Sequence, residues 1–528
     1  MKQKTKLTKV LAISLCLALI LSMFSTYSKA SITEDTDTAS IIVNGVEAGV
    51  KVSAYKLTTV NYDYDADQLT DNPYAWVSEV QTWLQSTHPT YVNMETFAEE
   101  VSGEEEAKSF YSELAAAIRG GTVTLTPKEG TAGGTATYPV GDDDLTGSVT
   151  LTDCEMGTYI VLIENGYKVY TPSVVNLVPS YNEENSEWEL PNQTVMVKST
   201  NPQITKTVTD DSAKADNYST KDAISFKIVA DLPTYLSTSR SKKYYMSDDL
   251  SDGLELDTSS IKVYGQLGSA PRVELTSPAN YTLTTDGATR PNTSATPVDF
   301  SINFVYDSIT SYDKIIVEYT AKLKKDSNAV VGGTGNTNTA YLDYSNNPYD
   351  DTSMQEQNDQ SKVYTYGVEV TKTDKSSGSP ITGESNAEFQ LLQSDTPLYF
   401  VSTAAGVYYL ANNTDGGATT TLAVDTNGKL YIYGLDTGTY SLKETKAPAE
   451  YNLSTTAVPI TITDDDKDGA LDDEEGTTGI VTLSFQNSKG FQLPTTGGMG
   501  TVIFAAGGIV FIGLGIVLLI FAMRRKNK

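Results

Sequence analysis

Histidine and cysteine are nearly absent from this chain of 528 residues. The sequence contains one histidine, His88, and two cysteines, Cys16 and Cys154. A Ser-His-Asp or Cys-His catalytic site would have to be built around that one imidazole, and a His/Cys metal cluster has too few ligands. Phosphate-loop and dinucleotide fingerprints are also missing, because the many glycines lie in turns. The sequence therefore predicts that the protein is not an enzyme and requires no cofactor.

Basic residues are also scarce. Lysine and arginine together number 38 against 67 aspartates and glutamates, which gives a formal net charge of −29. Nucleic-acid binding depends on neutralising phosphates with clustered basic side chains. A chain this acidic is expected to have no nucleic-acid partner.

The first 30 residues are typical of a secretory signal peptide. Four lysines between Lys2 and Lys9 precede an apolar stretch over 10–23, and small residues up to Ala30 suit cleavage. Removal of this segment also removes Cys16. The exported protein would retain only Cys154 and could form no internal disulfide, although an oxidising exterior would permit one.

The chain ends in a second apolar stretch, over about 501–523, followed by Arg524, Arg525, Lys526 and Lys528. A helix of about 22 apolar residues can cross the hydrocarbon layer of a membrane, and the basic tail would stay in the cytoplasm. Everything before this stretch is therefore expected outside the cell.

Just before that stretch stand Leu493, Pro494, Thr495, Thr496 and Gly497. They resemble the LPxTG sorting signal of Gram-positive surface proteins at every position, with the apolar helix and basic tail in the expected order over 491–528. The resemblance implies that a sortase cuts between Thr496 and Gly497 and passes the Thr496 carbonyl to an amine. An ordinary single-pass membrane anchor is the alternative.

Between the two ends, short alternating runs rich in Thr, Tyr and Val are separated by turn residues, as at 223–229, 315–321 and 479–485. This pattern is typical of antiparallel β-sandwiches. We predict an all-β protein of three tandem Ig-like sandwiches, over 31–200, 201–365 and 366–490. The first is expected to carry a helical insertion, because apolar residues recur at helical spacing around 74–84 and 110–118.

The end of the first domain resembles the pilin motif of sortase-assembled pilus backbones. In that family a tryptophan leads into an apolar strand and then to a lysine whose amine attacks the sortase thioester of the next subunit. Here Trp188 is followed by Val195, Val197 and Lys198. Thr200 occupies the family's lysine position in strict register, so Lys198 is the predicted nucleophile; a solvated lysine between domains is the alternative.

The second domain resembles the pilin middle domain that closes itself with an isopeptide bond. The resemblance rests on the segments 204–208, 221–228 and 338–348 and implies a bond between Lys206 and Asn338, assisted by Asp222. The chemistry suits these residue types. Burial disfavours the ammonium ion and leaves a nucleophilic amine, and a buried carboxylic acid can shuttle protons as ammonia leaves.

The third domain resembles the collagen-adhesin B-type domain of pilins. The opening segment 368–374, the E-box-like segment 435–451 and the last strand 483–487 carry the likeness. It implies that Lys372 and Asn487 are bonded and that Glu444 acts as the proton-shuttling acid.

Within that domain, 464–475 fits a twelve-residue calcium loop. Asp464, Asp466, Asp468 and Glu475 stand at ligand positions 1, 3, 5 and 12, and Asp472 stands at position 9. The flanking residues favour strands rather than the helices of an EF-hand, so an acidic hairpin tip is the alternative to a Ca²⁺ site.

Taken together, these features resemble a Gram-positive sortase-assembled major pilin. The resemblance implies an extracellular, cell wall-anchored backbone subunit of a covalent pilus, with sortase, neighbouring pilin subunits and peptidoglycan as partners and a host ligand as a further one. Two alternatives stay open: a wall-anchored monomeric adhesin, and a minor pilin that does not self-polymerise.

Overall fold

The structure is a computed structural model. It describes residues 23–26, 32, 37–66, 68–134, 147–183, 187–209, 213–236, 238–291, 296–383, 387–472, 479–490 and 500–525. These residues divide into two compact units. The first lies within Met1–Thr365 and Asp464–Ala470, and the second within Tyr366–Thr463 and Leu471–Lys528.

The first unit begins with a β-sandwich. Its strands are β1 Met23–Thr26, β2 Thr38–Val46, β3 Lys51–Lys56, β4 Thr58–Asp63, β5 Gln68–Trp76, β6 Lys128–Thr131, β7 Gly147–Glu155, β8 Gly157–Glu164, β9 Val169–Tyr170, β10 Ser173–Leu177, β11 Ser180–Asn182, β12 Glu187–Glu189, β13 Asn192–Met196 and β14 Ser199–Thr200. One sheet has the order β1-β13-β2-β7, the other has the order β10-β8-β3-β6, and β14 pairs with β9. The sandwich core lies between these two sheets.

Helices cover the outer face of the second of these sheets. They are α1 Ser78–Thr87, α2 Met94–Glu100 and α3 Glu104–Arg119, with a 3-10 turn at Pro89–Val92. Strand β8 is buried along almost its whole length, because Val161 faces the sandwich core while Ile160 and Leu162 face the helices. A strand covered on both faces needs an unbroken apolar sequence rather than an alternating one.

A second sandwich completes the first unit. Its strands are β15 Ile204–Val208, β16 Ala215–Asn217, β17 Ile224–Asp231, β18 Tyr244–Leu250, β19 Leu254–Gln266, β20 Val273–Glu274, β21 Tyr281–Thr284, β22 Phe300–Phe304, β23 Lys314–Leu323, β24 Asn336–Tyr344 and β25 Gln355–Tyr364, with a 3-10 turn at Tyr306–Ser308. The sheets run β15-β17-β23-β19-β20 and β16-β25-β24-β18-β22-β21. One apolar core fills the space between them.

The second unit is a further sandwich. Its strands are β26 Tyr366–Asp374, β27 Glu388–Gln393, β28 Thr396–Pro397, β29 Tyr399–Ala404, β30 Val407–Ala411, β31 Leu422–Ala423, β32 Lys429–Leu435, β33 Gly438–Lys446, β34 Val458–Ile462 and β35 Ile480–Asn487. The sheets run β29-β30-β32-β26-β35 and β28-β27-β33-β34. The first and last strands, β26 and β35, pair in parallel. The predicted class, all-β tandem sandwiches with helices inserted in the first, is confirmed.

The chain closes with helix α4, Gly500–Arg525. Among the residues whose side chains are described, no helix is long and apolar enough to span a membrane. The membrane-spanning role of the C-terminal stretch stays a prediction, as does the signal peptide, of which 1–22 and 27–30 lie outside the described residues.

Candidate isopeptide centres and sorting elements

In the second unit, Lys372 and Asn487 lie side by side on neighbouring strands. Asp374 of β26 is aligned with Asn487 of β35. Lys372 precedes Asp374 by two residues on β26, so its side chain points to the same face of the sheet as that pair. Its Nζ donates to Asn487 Oδ1 at 2.5 Å and to the Phe485 carbonyl at 3.1 Å. The parallel pairing of first and last strands therefore brings together two residues that are 115 positions apart.

Glu444 reaches the same centre from β33 in the opposite sheet. The Asn487 amide donates through Nδ2 to both Glu444 oxygens, at 2.9 and 2.8 Å, and to the Asn452 carbonyl at 2.9 Å. Glu444 Oε1 lies 3.7 Å from Lys372 Nζ. The carboxylate thus lies between the amine that would attack and the nitrogen that would leave.

The surroundings of Lys372 are apolar. Lys372, Glu444 and Asn487 are all buried, and the Phe485 ring centroid lies 5.1 Å from Lys372 Nζ. Burial lowers the pKa of the Lys372 amine, against the opposing influence of Glu444. An amine that loses its proton readily in a dry site can act as a nucleophile.

The second sandwich of the first unit contains a comparable centre. Lys206 on β15 and Asn338 on β24 belong to opposite sheets and are both completely buried. Lys206 Nζ is hydrogen bonded to Asp248 Oδ2 and donates to the Tyr319 hydroxyl at 2.5 Å. The Asn338 amide donates through Nδ2 to the same hydroxyl at 2.9 Å. A bond between Lys206 and Asn338 would therefore join the two sheets through the core.

The acid predicted for this centre is wrong. Asp222 does not lie beside Lys206; it sits in the turn before β17 and accepts hydrogen bonds from Ser219 N and Oγ, at 2.9 and 2.5 Å. A short polar side chain next to a turn bonds its own backbone in preference to crossing a sandwich. The acid that is hydrogen bonded to the Lys206 amine is Asp248 on β18, whereas Asp359 accepts from the Lys206 backbone nitrogen.

Burial perturbs both charged groups of the middle centre. It raises the pKa of Asp248 to about 6, and Lys206 partly offsets that rise. It lowers the pKa of the Lys206 amine, which Asp248 partly restores. The two shifts move the pair towards the uncharged amine and uncharged acid that amide formation needs.

Sequence reasoning missed Asp248 although a signal was present. Along β18 the buried side chains Tyr244, Met246 and Leu250 point inward with period two, and Asp248 occupies an inward position of that series. Tyr319 holds the same kind of position on β23, between Val317 and Ala321. A polar residue in an inward register is costly unless it has partners, so it marks a buried polar centre.

The proposed acceptor Lys198 follows strand β13 and is exposed. Its backbone carbonyl accepts a hydrogen bond from Thr171 N at 3.0 Å. Lys198 lines a small groove together with Tyr111, Pro172 and Leu236 and with the charged residues Glu104 and Lys108. The residue is therefore accessible to solvent beside a groove of mixed apolar and charged lining.

Thr200, which stands at the family's lysine position, is engaged elsewhere. It lies in β14, aligned with Val169 of β9, and its hydroxyl accepts a hydrogen bond from Thr234 N at 3.3 Å. The sorting residues Leu493, Pro494, Thr495, Thr496 and Gly497 lie outside the described residues.

The acidic loop brings three of its predicted calcium ligands together. Carboxylate oxygens of Asp464, Asp466 and Asp472 lie within 4.8 Å of one another. Asp468 instead accepts a hydrogen bond from Ala470 N at 2.7 Å. Glu475 lies outside the described residues. Calcium binding stays a prediction.

Two family models match this chain. Residues 366–476 match a prealbumin-like fold domain named SpaA, and residues 486–528 match the LPXTG cell wall anchor motif. The second match covers the sorting signal predicted from the sequence.

Known proteins match over a greater length. The trypsin-resistant surface T6 protein of Streptococcus pyogenes serotype M6 is 26% identical over 479 residues, which are 84% of this chain and 76% of that protein. The solved structure of the T6 backbone pilin of serotype M6 Streptococcus pyogenes matches with a TM-score of 0.58 and 20% identity, over 87% of this chain and 100% of that one. These relatives are structural pilin proteins, which confirms that the chain is not an enzyme. Over most of its length the chain is therefore similar to Gram-positive backbone pilins, and its C-terminal residues match a cell wall anchor, which supports a structural subunit of an extracellular, cell wall-anchored pilus.

Proposed function

We propose that this protein is a backbone subunit that sortase joins head to tail, from Thr496 of one copy to Lys198 of the next. The exposed amine of Lys198 supports this role, because a sortase acyl-enzyme must be reached from solvent. Wall anchoring would use the same thioester, with a peptidoglycan amine as the acceptor. The groove beside Lys198 offers Tyr111, Pro172 and Leu236 as apolar contacts for the incoming segment.

Each of the last two sandwiches is closed by an isopeptide bond, Lys206 with Asn338 and Lys372 with Asn487. The observation that carries this proposal is the geometry at Lys372, where amine, amide and carboxylate are in contact within an apolar core. The reaction is a single turnover. The Lys nitrogen forms a bond to the Asn carbonyl carbon, the bond to Nδ2 breaks, and ammonia leaves with the proton that Glu444 or Asp248 transfers.

Intact-mass spectrometry of the ectodomain tests the internal bonds. Each bond releases one ammonia, so the mass should fall about 34 Da below the unmodified formula for two bonds. Tryptic peptides joined through Lys206 and Lys372 should locate them. A mass equal to the unmodified formula would refute this part of the proposal.

Polymerisation is tested in wall extracts from a host that expresses the matching sortase. The native protein should give a high-mass ladder in denaturing gels, and Lys198→Arg should abolish it, because a guanidinium is a poor nucleophile at any accessible pH. Lys108→Arg is the matched control, since Lys108 borders the same groove but is paired with Glu104 at 2.9 Å. A single species from the native protein would instead favour the monomeric adhesin or the minor pilin.

A further inference from the structure

The hydroxyl of Tyr319 lies at the centre of the middle site. Tyr319 is 2% exposed, and its oxygen accepts hydrogen bonds from Lys206 Nζ at 2.5 Å and from Asn338 Nδ2 at 2.9 Å. The same hydroxyl donates to Asp248 Oδ1 at 2.6 Å. It therefore contacts the nitrogen that would attack, the nitrogen that would leave, and the acid.

Tyr319 also orients the amide of Asn338. Among the described residues, Asn338 Oδ1 is buried without a hydrogen-bond partner, so the bond from Nδ2 to the Tyr319 hydroxyl is what orients this amide. The ring that carries the hydroxyl is itself held firmly. It stacks on Phe226 at a centroid distance of 5.5 Å and meets Phe300 edge to face at 5.2 Å.

In the second unit the acid and the amide are in direct contact. There Glu444 accepts directly from the amide of Asn487 with both oxygens. In the middle centre Asp248 contacts Lys206, and its other oxygen contacts the hydroxyl of Tyr319, which in turn contacts Asn338. Asp248 lies on β18, which pairs with the strand of Asn338. In this pairing Asn338 is aligned with Leu250, so Asp248 is displaced from it by two residues. The hydroxyl spans the gap between acid and amide.

We propose that Tyr319 is a catalytic residue of the middle isopeptide bond and relays a proton from Asp248 to the leaving nitrogen of Asn338. This inference rests on the proposed Lys206–Asn338 bond. The uncharged Lys206 amine attacks the Asn338 carbonyl carbon and passes its surplus proton to Asp248 Oδ2. In the reacting form the uncharged Asp248 carries its proton on Oδ1, so the hydrogen bond between Asp248 and Tyr319 runs towards the tyrosine. That proton passes to the Tyr319 oxygen as the proton of Tyr319 moves to Nδ2. The bond to Nδ2 breaks, ammonia leaves, and Asp248 and Tyr319 end in the protonation states in which they began.

The test measures how fast the middle bond forms in the full-length ectodomain. Protein is made in a short cell-free pulse, and samples are digested at intervals to quantify the joined peptide that contains Lys206 and Asn338. Tyr319→Phe, which keeps the ring, should slow formation of this bond by at least about 100-fold, the lower end of a general acid-base contribution. The Lys372–Asn487 bond of the same molecules should form at its normal rate and is the internal control.

Tyr244→Phe is the matched control variant. Tyr244 is also completely buried in this sandwich, and its hydroxyl donates to the Asp231 carbonyl at 3.1 Å, away from the reacting groups. It should lose one buried hydrogen bond and keep the normal rate. Near-UV circular dichroism should show that the unbonded Tyr319→Phe protein is folded.

The outcomes separate the two proposals. If Tyr319→Phe forms the middle bond as fast as Tyr244→Phe, the relay is refuted while the bond itself stands. If the native protein lacks the joined peptide, the proposed bond fails first. If Tyr319→Phe does not fold, trifluorotyrosine inserted at position 319 replaces it: a relay requires a changed rate because the hydroxyl is more acidic, and an unchanged rate would refute it.

Discussion

Replacing Glu444 by glutamine should leave the second unit folded but without its internal bond. Glu444 is 1% exposed and touches Asn487 through both carboxylate oxygens. Glutamine has nearly the same shape but cannot take the proton that Lys372 must lose. The Glu444→Gln ectodomain should therefore be about 16 Da heavier than the native protein, because it keeps the ~17 Da of one ammonia and the substitution itself removes ~1 Da.

The size of the effect follows from the loop that the bond closes. Lys372 and Asn487 are separated by 115 positions. In the chain-entropy model a cross-link over about 100 residues stabilises the folded state by ~4.7 kcal/mol, whatever its chemistry. That is a large part of the ~5–15 kcal/mol that stabilises a typical domain.

Amide hydrogen exchange of β26 and β35 measures this stabilisation directly. These strands are in register from Gly367 with Ile480 to Asp374 with Asn487, so their amides exchange only when the ladder opens. Since ~1.4 kcal/mol corresponds to a factor of ten, loss of the bond should speed this exchange by about 10³-fold.

Glu369→Gln on the same strand is the control. Glu369 is half-buried and pairs with Lys429 at 2.5 Å. Partly exposed pairs contribute only ~0.2–1 kcal/mol, so exchange should rise less than about sixfold. If Glu444→Gln keeps the mass deficit, or exchanges no faster than Glu369→Gln, Glu444 is not the acid and the reasoning fails.

Two further predictions concern calcium and pH. Ca²⁺ should raise the melting temperature of the ectodomain and EDTA should lower it, because the clustered carboxylates of the acidic loop repel one another without a cation. The double variant Asp464→Ala, Asp468→Ala should abolish this shift in melting temperature. A shift that persists in the double variant would contradict a calcium site in this loop. The pH prediction concerns the variant Asn338→Ala, which cannot form the middle bond. Burial raises the pKa of Asp248 to about 6, above the ~3.9 of an unfolded aspartate. Between these two pH values the native state therefore binds more protons than the unfolded state. The free energy of unfolding, from urea titrations, should therefore fall as pH rises from about 4 to about 6, and Asp248→Asn should remove the trend; a rise over this range would contradict the burial of Asp248.

Local sequence patterns were sufficient to predict the class of the fold and the centre of the second unit. Alternating apolar residues indicate strands because side chains of a strand point to opposite faces. Lys372, Glu444 and Asn487 each lie within a strand segment that resembles a known pilin segment, and the structure brings all three together. The position of the helices also followed from apolar spacing, although Tyr74, predicted to lie on the first helical face, belongs to β5.

The middle centre shows where local patterns are insufficient. Asp222 stands in the segment that resembles the family, but its side chain is satisfied by Ser219 within the same turn. Asp248 and Tyr319 lie 42 and 113 positions from Lys206, and the strand order of the two sheets brings them to it.

The sequence by itself determined the β architecture, the sorting signal and the types of residue able to form internal amides, since these depend on periodicity, short motifs and side-chain chemistry. The tertiary structure alone decided which acid contacts the Lys206 amine and that a tyrosine hydroxyl lies between that acid and the Asn338 amide. The physical reason is that a sandwich core is assembled from strands distant in sequence, and a buried charged group is stabilised by whichever partners the packing places beside it.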